Sequence, residues 1–550
     1  MLIYNNQIEF NKDDLKYRYR KIIDNKNLTV WIWGYIIGEK KIKTFLAKKE
    51  KLNLNDVDYI VKNLIESGKF ILIIKLKNPS KVFVINDRWG LIPLFSSRDF
   101  KYISDLPEEI INKLSKIHLD YRGIYEFLNF DYFLDDRYFV KEIKRIYGGT
   151  ILYYDNNVKR FKIKSYYKFV PKFDKKPTKY DYRKIYSLFQ EGIEKLYEEY
   201  GFENVFTHLS GGYDTRLIYF ADKKINEVIT FTISSDEFKF VKKILEKFPK
   251  STHVVEFNKL NFNIYKRLFE EATGYVSLTN PQHIILLDYY NNFKKIDVVY
   301  DGFAGDAILG GTYLDLVIEF FREFRIRMNY SPSRIQTFKS FNVDLLSGKW
   351  KKKIQRFDKS EIDVYKKIFW RNDRYTYFLF KFYNRGLNWL APGSNIKNKY
   401  YPRIYPFFYY PLFDYYTQFS FDHLRIKKLY SEVYKNNFND KILSLKDNFF
   451  RLNFKWPYKI RLLSAYLFAF YRKYIIKDNF KEITPFKKII LSNLDLRNYF
   501  IENMNALKSF GIVNKELKIT KYIILKQYLS LVRLINLNLF IQKFNKKLTL

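Results

Sequence analysis

The chain has 550 residues, of which 47% are hydrophobic and 20% aromatic, and its formal net charge is +39. This composition excludes an intrinsically disordered protein, and the length predicts two or three domains. The sequence contains no cysteine, which excludes disulfides, zinc–thiolate and iron–sulfur sites and any thiol nucleophile, and is compatible with a cytoplasmic location.

The positive charge admits two interpretations. A field of this size attracts polyanions, so a nucleic-acid partner is one hypothesis. The sequence has no compact basic stripe with interleaved stacking aromatics, and the preferred interpretation is therefore a lysine-rich solvated surface.

Targeting and membrane segments are not expected. The N-terminus lacks a basic segment followed by an apolar one, which argues against a signal peptide. The most apolar stretches, 460–476 and 522–544, are interrupted by Arg and Lys. They predict amphipathic helices packed on a core and no transmembrane segment, with a peripheral membrane role as the less favoured alternative.

The first 170 or so residues predict a β-rich domain. Runs of β-branched and aromatic residues between turn signals predict strands at 28–35, 70–75, 82–86, 138–147 and 149–154. A segment with two prolines and several charges follows at 170–178, and it is the predicted linker.

Beyond the linker, strands alternate with helices. Short apolar runs predict strands at 205–209, 228–233, 253–257 and 298–300. Helical patterns begin at Asp214 and cover 237–248 and 261–271. Such alternation predicts a parallel sheet with helices on both faces. Helix dominates from about residue 315, and about ninety final residues are basic and amphipathic.

The most informative motif is Ser210-Gly-Gly-Tyr-Asp-Thr215, which follows the strand predicted at 205–209 and opens a helix. Gly211 and Gly212 allow a tight turn whose amides, with the helix N-terminus, point at an anion. Ser210 and Thr215 add hydroxyl donors, and Asp214 can hold Mg²⁺ that bridges phosphate oxygens. The motif indicates a pyrophosphate-binding loop for ATP; the alternative is an ordinary strand-to-helix turn with a helix cap.

With this motif the chain resembles the asparagine-synthetase family. The resemblance implies a doubly wound parallel-sheet ATP-pyrophosphatase (PP-loop) domain with a helical C-terminal region. Asp301-Gly-Phe-Ala-Gly-Asp306 resembles the family's second glycine-rich turn, which implies a second magnesium carboxylate at Asp306 and an adenosine contact at Gly302. The strand that ends at Ile233 resembles the adenine-contacting strand, and His208 would offer backbone near the nucleotide.

Three further segments extend the resemblance. Lys446 stands where the family carries a lysine that stabilises the charged intermediate, and Pro411-Leu-Phe-Asp414 resembles a structural segment of the synthetase domain. Asp87-Arg-Trp-Gly-Leu-Ile-Pro-Leu94 resembles a signature of the family's Ntn-type glutaminase domain, which implies an αββα sandwich. The implied domains are 1–172, 180–460 and a basic helical extension over 461–550.

The implied function is that of an AMP-forming carbon–nitrogen ligase that uses ATP and Mg²⁺. A small carboxylate, aspartate by default, would be adenylated, and ammonia or an amine would displace AMP. Position 2 is leucine and the nucleophilic cysteine of the glutaminase is missing, so we expect no hydrolysis of glutamine.

Two other positions depart from the family. Phe303 replaces a glutamate or tyrosine that assists deprotonation of the amine, and Ala307 replaces an acid. Amide formation would therefore need another base or free ammonia. Three alternatives stay open: a nucleotide-binding pseudoenzyme or scaffold, a tRNA-modifying enzyme with the same loop, and a cyclase of a peptide or specialised metabolite.

Overall fold

The structure is a computed structural model that describes residues 1–10, 18–231, 235–255, 266, 296–305, 341–357, 378–379, 381–391, 402–424, 427–474 and 493–549. The predicted site residues Ile233 and Asp306 lie outside these ranges. So do Ala307 and all but one residue of the helix predicted over 261–271.

The first unit contains two antiparallel sheets. Its strands β1 to β12 are, in chain order, Leu2–Tyr4, Gln7–Glu9, Tyr19–Asp24, Leu28–Ile37, Ser67–Leu76, Lys81–Asn86, Leu94–Ser97, Ile103–Ser104, Ile117–His118, Ile143–Ile146, Thr150–Asp155 and Arg160–Ser165. One sheet has the order β10-β7-β8-β1-β2, and the other has the order β12-β11-β6-β5-β4-β3.

Strand β5 shows why the two sheets stack. Its side chains alternate between the two faces, and both faces are apolar. Ile71 and Ile73 pack between the sheets, whereas Phe70, Leu72 and Ile74 pack on the outer side. The resulting order of layers is helix, sheet, sheet, helix.

Four helices cover the outer faces of this sandwich. Helices α1 (Glu39–Ala47) and α2 (Leu54–Tyr59), the second continued by a π-helical turn at Ile60–Leu64, lie on the six-stranded sheet. Helices α3 (Pro107–Lys113) and α4 (Tyr121–Phe130) lie on the five-stranded sheet.

One predicted strand, 138–147, is wrong over its first half. Only Ile143–Ile146 is strand. The side chains of Tyr138, Phe139 and Val140 are buried in the core outside the five-stranded sheet, and both aromatic rings contact Phe540 near the end of the chain. Packing against a distant helix overrides the local strand propensity there.

The second unit begins with helix α5 (Lys179–Tyr200), which starts at a capping box of Thr178 and Asp181 and ends at Gly201 in the left-handed region. Its sheet is parallel, and the strands β13 to β17 are Val205–His208, Glu227–Phe231, Ser251–Val255, Val298–Tyr300 and Arg403–Ile404. Their order is β15-β14-β13-β16-β17. Helices α6 (Tyr213–Ala221) and α7 (Ser235–Lys247) follow β13 and β14. The mixed α/β class was predicted correctly, and the four strands predicted for this sheet agree with the observed ones to within two residues, whereas Arg403–Ile404 was not predicted.

Helices make up most of the rest of the described chain. Helices α8 to α15 are Gly348–Gln355, Tyr410–Tyr416, Phe421–Leu424, Lys428–Asn437, Asp440–Leu443, Tyr458–Tyr474, Leu494–Ser509 and Lys521–Phe544. The 3₁₀ or π-helical segments of this part are Val343–Leu345, Lys381–Leu390 and Pro406–Phe408, and strand β18 is Leu548–Thr549.

The last helices do not form a layer of their own. Helices α14 and α15 pack with α4 and the five-stranded sheet of the first unit, and β18 pairs with β9. The domain boundaries predicted at 172, 180 and 460 stay a prediction. Among the helices that the structure describes, none is long and apolar enough to cross a membrane.

The two units share one apolar core. Trp89, in the signature segment of the first unit, packs against the rings of Phe408 and Phe413. Beside it, the Arg88 guanidinium and the Asp414 carboxylate form an ion pair at 2.8 Å. The predicted linker is anchored as well, because its Phe173 is buried in the same core.

Candidate functional site

The strand order of the parallel sheet creates a switch point between β13 and β16. From β13 the chain continues to β14 on one side, whereas β16 is followed on the other side by β17. At such a point the connections leave in opposite directions, and a crevice opens at the carboxyl ends of the two strands. Loop 210–215 follows β13 and turn 301–305 follows β16, so both glycine-rich segments predicted from the sequence lie at this crevice.

The loop and the turn are in direct contact. A Cβ atom at Gly302 would lie 3.0 Å from Cβ of Asp214, and one at Gly305 would lie 2.7 Å from Cγ of the same residue. The Gly305 position is also closed by the Phe407 ring and the Tyr430 hydroxyl, each at 2.7 Å. Glycine is therefore required at 305 by the close approach of these elements.

The loop is ordered by its own hydroxyl groups. The amide of Ser210 donates to Oγ1 of Thr215 at 3.0 Å, and the amide of Gly212 donates to Oγ of Ser210 at 3.1 Å. Asp214 is half-buried in the first turn of α6, a helix whose N-cap residue is Gly212 and which has no side-chain cap. The uncapped amides at this helix start are suited to an anion.

A buried polar cluster contacts loop 210–215 from the protein interior and holds Tyr213 in place. Arg461 and Asp447 form an ion pair at 2.8 Å with both side chains fully buried. The hydroxyl of Tyr213 donates to Asp447 at 3.2 Å, and the backbone carbonyl of Tyr213 accepts from the Tyr434 hydroxyl at 2.9 Å. Burial raises the pKa of Tyr213 well above its ordinary value, so the residue stays a neutral donor. The sequence analysis missed this cluster, because its members are far apart in the chain and follow no motif.

The segment that contains Lys446 lies against the loop. The backbone carbonyl of Lys446 accepts from Nη2 of Arg216 at 2.6 Å, and the amide of Asn448 donates to the carbonyl of Gly211 at 3.3 Å. The side chain of Lys446 is exposed. The structure thus brings the backbone of the predicted catalytic lysine to the loop. Arg216 itself is buried beneath the loop.

A carboxylate already contacts the loop. Burial raises the pKa of Glu237, and a hydrogen bond from the amide of Gly211 acts in the opposite direction. The side-chain amide of Asn448 also donates to Glu237, at 3.4 Å. A carboxyl group beside a loop amide is consistent with a backbone that presents donors to an acceptor here.

His208 belongs to a second polar network, which lies toward the first unit. Nη2 of Arg403 donates to Nε2 of His208 at 3.0 Å, and Nη1 of Arg403 pairs with Asp301 at 2.5 Å. Asp301 in turn accepts from the amide of Phe303 at 3.1 Å, which orders turn 301–305. The imidazole of His208 is engaged in this network, and the backbone role near a nucleotide stays a prediction.

A buried lysine of the first unit lies close to this polar network. Nζ of Lys69 donates to the hydroxyl of Tyr405 at 3.0 Å. Burial and the nearby charge of Arg403 hold the pKa of Lys69 well below its ordinary value. The centre of the Phe303 ring lies 4.8 Å from the centre of the Tyr405 ring and 5.6 Å from that of the Phe408 ring. Position 303 is therefore part of an aromatic cluster.

The structure therefore brings together most of the predicted site residues. Those at the crevice are His208, Ser210, Gly211, Gly212, Asp214, Thr215, Gly302 and, through its backbone, Lys446. Ile233 and Asp306 lie outside the described ranges. Within those ranges no three side chains of His, Asp or Glu form a metal-binding group.

Comparisons with known proteins add little to this geometry. No family model and no curated protein matches the chain. One solved structure found is the allosteric regulatory enzyme of purine biosynthesis, with 10% identity over 42% of this chain and a TM-score of 0.17. Another is the glutamine phosphoribosylpyrophosphate amidotransferase from B. subtilis complexed with ADP and GMP, with 11% identity over 53% of this chain and a TM-score of 0.18. The chain covers 61% and 58% of these two proteins, and at such TM-scores the likeness supports no conclusion on fold or activity.

Proposed function

We propose that the chain is an ATP-dependent ligase that activates a carboxylate as an acyl-adenylate and transfers the acyl group to ammonia or an amine. The observation that carries the proposal is the contact between loop 210–215 and turn 301–305 at the switch point of a parallel sheet. Nucleotides bind to sheets of this type in the crevice at the switch point, with phosphates at a helix N-terminus.

The residues of the loop fit a magnesium–phosphate group. Mg²⁺ in phosphate-transfer sites takes one or two carboxylates, and phosphate oxygens and water complete its shell. Asp214, half-buried beside the amides of α6, is the carboxylate that would hold the ion, and the family resemblance suggests Asp306 as a second. When bound, Mg²⁺ neutralises charge on the phosphate oxygens.

The residues of the chain then have separate tasks. The amides at the start of α6 and the hydroxyls of Ser210 and Thr215 bind the phosphates that leave as pyrophosphate. This contact orients the α-phosphate toward the carboxylate that attacks it. Lys446 is proposed to stabilise the charged intermediate of acyl transfer, a role that the position of its backbone beside the loop supports.

The packing of Phe303 bears on the second half-reaction. Its ring lies against Tyr405 and Phe408 and carries no titratable group, so it cannot deprotonate an ammonium substrate. Amide formation at this site therefore uses free ammonia, a neutral amine or a base other than residue 303. The same observation favours a second candidate, a protein that binds ATP at this site without turnover.

The test is carboxylate-dependent release of pyrophosphate from ATP and Mg²⁺, with aspartate first and then a panel of small carboxylates. We expect Asp214→Asn to lower this release by about 10²-fold or more, because a charge that positions the phosphates is removed. The matched control is Asp440→Asn, which removes a carboxylate that is 85% exposed. It should leave the release unchanged.

Binding of ATP is measured in parallel by calorimetry, which separates the two candidates. Tight binding of ATP without pyrophosphate release for any carboxylate would support the second candidate, a protein that binds ATP but does not turn it over. Release that survives Asp214→Asn would contradict the proposed role of the loop.

A further inference from the structure

Helix α13 exposes an apolar stripe that no part of the described chain covers. The exposed side chains recur at every third or fourth position, which places them on one face of the helix. Each is between 37% and 55% exposed, and they are Ile460, Leu463, Leu467 and Tyr471, with Trp456 just before the helix.

The stripe is distinct from the face with which α13 joins the core. Arg461, Leu462 and Ala465 are buried and hold the helix against the second unit. The helix is thus apolar on two faces, and one of them meets solvent. Isolated exposed apolar residues are ordinary, but a continuous row of large ones marks an interaction surface.

An open groove runs along this face. It has a volume of about 430 Å³ and includes Leu452 and Ser464 besides members of the stripe. The guanidinium of Arg451 lies 4.2 Å from the centre of the Phe468 ring at its edge. A cationic group therefore borders the apolar surface.

The charge of the segment is of one sign. Residues 451–474 contain six basic residues and no acidic one, within a chain of net charge +39. Two of the six are paired with carboxylates: Arg461 with the buried Asp447, and Lys455 with Asp440 at the surface. The others, namely Arg451, Lys459, Arg472 and Lys473, flank the stripe in sequence at both ends.

We propose that this face of α13 docks on the surface of a bilayer that contains anionic lipids. Large apolar residues with Trp and Tyr, accompanied by basic residues and no acidic ones, are typical of helices that lie in the membrane interface. Lys and Arg near the surface add attraction to anionic headgroups. A second copy of this chain fits less well, because pairing would bring together two surfaces of the same positive sign.

The absence of native cysteine makes a site-specific probe straightforward. Leu467→Cys, labelled with an environment-sensitive dye, should show a blue shift on addition of vesicles of phosphatidylcholine with one quarter phosphatidylglycerol. It should show none with phosphatidylcholine alone. The matched control is Leu494→Cys on α14, where the native leucine is 60% exposed, and its dye should not respond.

The same pair of positions tests the energetic contribution. In co-sedimentation of the full chain with the anionic vesicles, Leu467→Ser should weaken binding by about ten-fold, the order expected when one leucine leaves the bilayer. Leu494→Ser should bind as the wild type does. Both substitutions are at exposed positions, and equal thermal transitions of the variants would show that folding is intact.

Three results would overturn the proposal. Equal binding by both serine variants would mean that the general charge of +39, not the stripe, attracts the vesicles. A dye response at both labelled positions would mean the same. A dimer in light scattering that Leu467→Ser converts to a monomer would show that a second copy of the chain occupies the face.

Discussion

Substitution of Gly305 by alanine tests the contact on which the candidate site depends. The added Cβ would lie 2.7 Å from an atom of Asp214, of Phe407 and of Tyr430. Carbon atoms in good contact are about 3.5 to 4 Å apart, so each of these contacts is an overlap. Phe407 and Tyr430 are fully buried and have no space to retreat into. Relief must therefore come from displacement of Asp214 or of turn 301–305.

The expected cost is that of overpacking a well-filled core, about 1 to 3 kcal/mol of the free energy of unfolding. A matched control exists at Gly348, the first residue of α8, where an added Cβ would meet no atom within 4 Å. Alanine there should be neutral or should stabilise by up to about 1 kcal/mol, because glycine disfavours a helix.

Urea unfolding followed by circular dichroism gives the comparison, and pyrophosphate release gives a second readout. If the proposed function holds, Gly305→Ala should also slow release by about 10²-fold, since Asp214 is moved from its position. Equal unfolding midpoints for Gly305→Ala and Gly348→Ala would refute the reasoning, because the close approach of loop and turn would then not exist in solution.

Two further substitutions test the supports of the second unit. Arg461→Met should lower the free energy of unfolding by about 3 to 5 kcal/mol, because Asp447 is left as an uncompensated buried charge. Arg461→Met combined with Asp447→Leu should recover part of that loss in urea unfolding, and no recovery would contradict the explanation. At the start of α5, burial opposes ionisation of Asp181, but hydrogen bonds from Lys175 and Tyr415 hold its pKa below the ordinary value. Asp181→Asn should cost about 1 to 2 kcal/mol at pH 7. A lowered pKa stabilises the fold fully above the unfolded value near ~3.9, so the gap to wild type should begin to shrink below about pH 4 and close only as the pH falls through the lower folded pKa. A gap as large at about pH 2 as at pH 7 would exclude this cause.

The second unit could be predicted well from sequence, since its signals are local. The strand at 298–300 was predicted with its observed bounds, and the strand at 205–209 was one residue too long. Short apolar runs that end in glycine-rich turns give this information without knowledge of the rest of the chain. Because parallel strands end at one edge, the approach of loop 210–215 to turn 301–305 follows from the same pattern.

What could not be predicted depends on contacts between distant segments. Tyr213, Asp447 and Arg461 carry no shared motif, and only the fold shows that they form one cluster beneath the loop. The stretch 138–142 looks like a strand because it is rich in β-branched and aromatic residues, yet it packs on α15 as irregular chain.

Helix α13 shows a different limit of sequence patterns. The stretch 460–476 was predicted to pack on a core, and one face of α13 does so. Residues such as Leu462 and Leu467 are chemically identical and both have helical spacing, but the first is buried and the second is half-exposed. Periodicity reports that a helix has an apolar face, and it does not report what that face meets.

The packing of α14 and α15 on the first unit has a consequence for the growing polypeptide. The apolar surface formed by α4 and residues 138–140 emerges from the ribosome within the first 165 or so residues, but the helices that complete this core are Leu494–Ser509 and Lys521–Phe544. At typical rates of translation the interval is on the order of tens of seconds. During that time the segments that bury a large apolar surface of the nascent chain have not yet been synthesised. Synthesis of this protein should therefore depend on chaperones that bind the ribosome-attached chain, and the early half cannot complete its fold before the end of the chain is made.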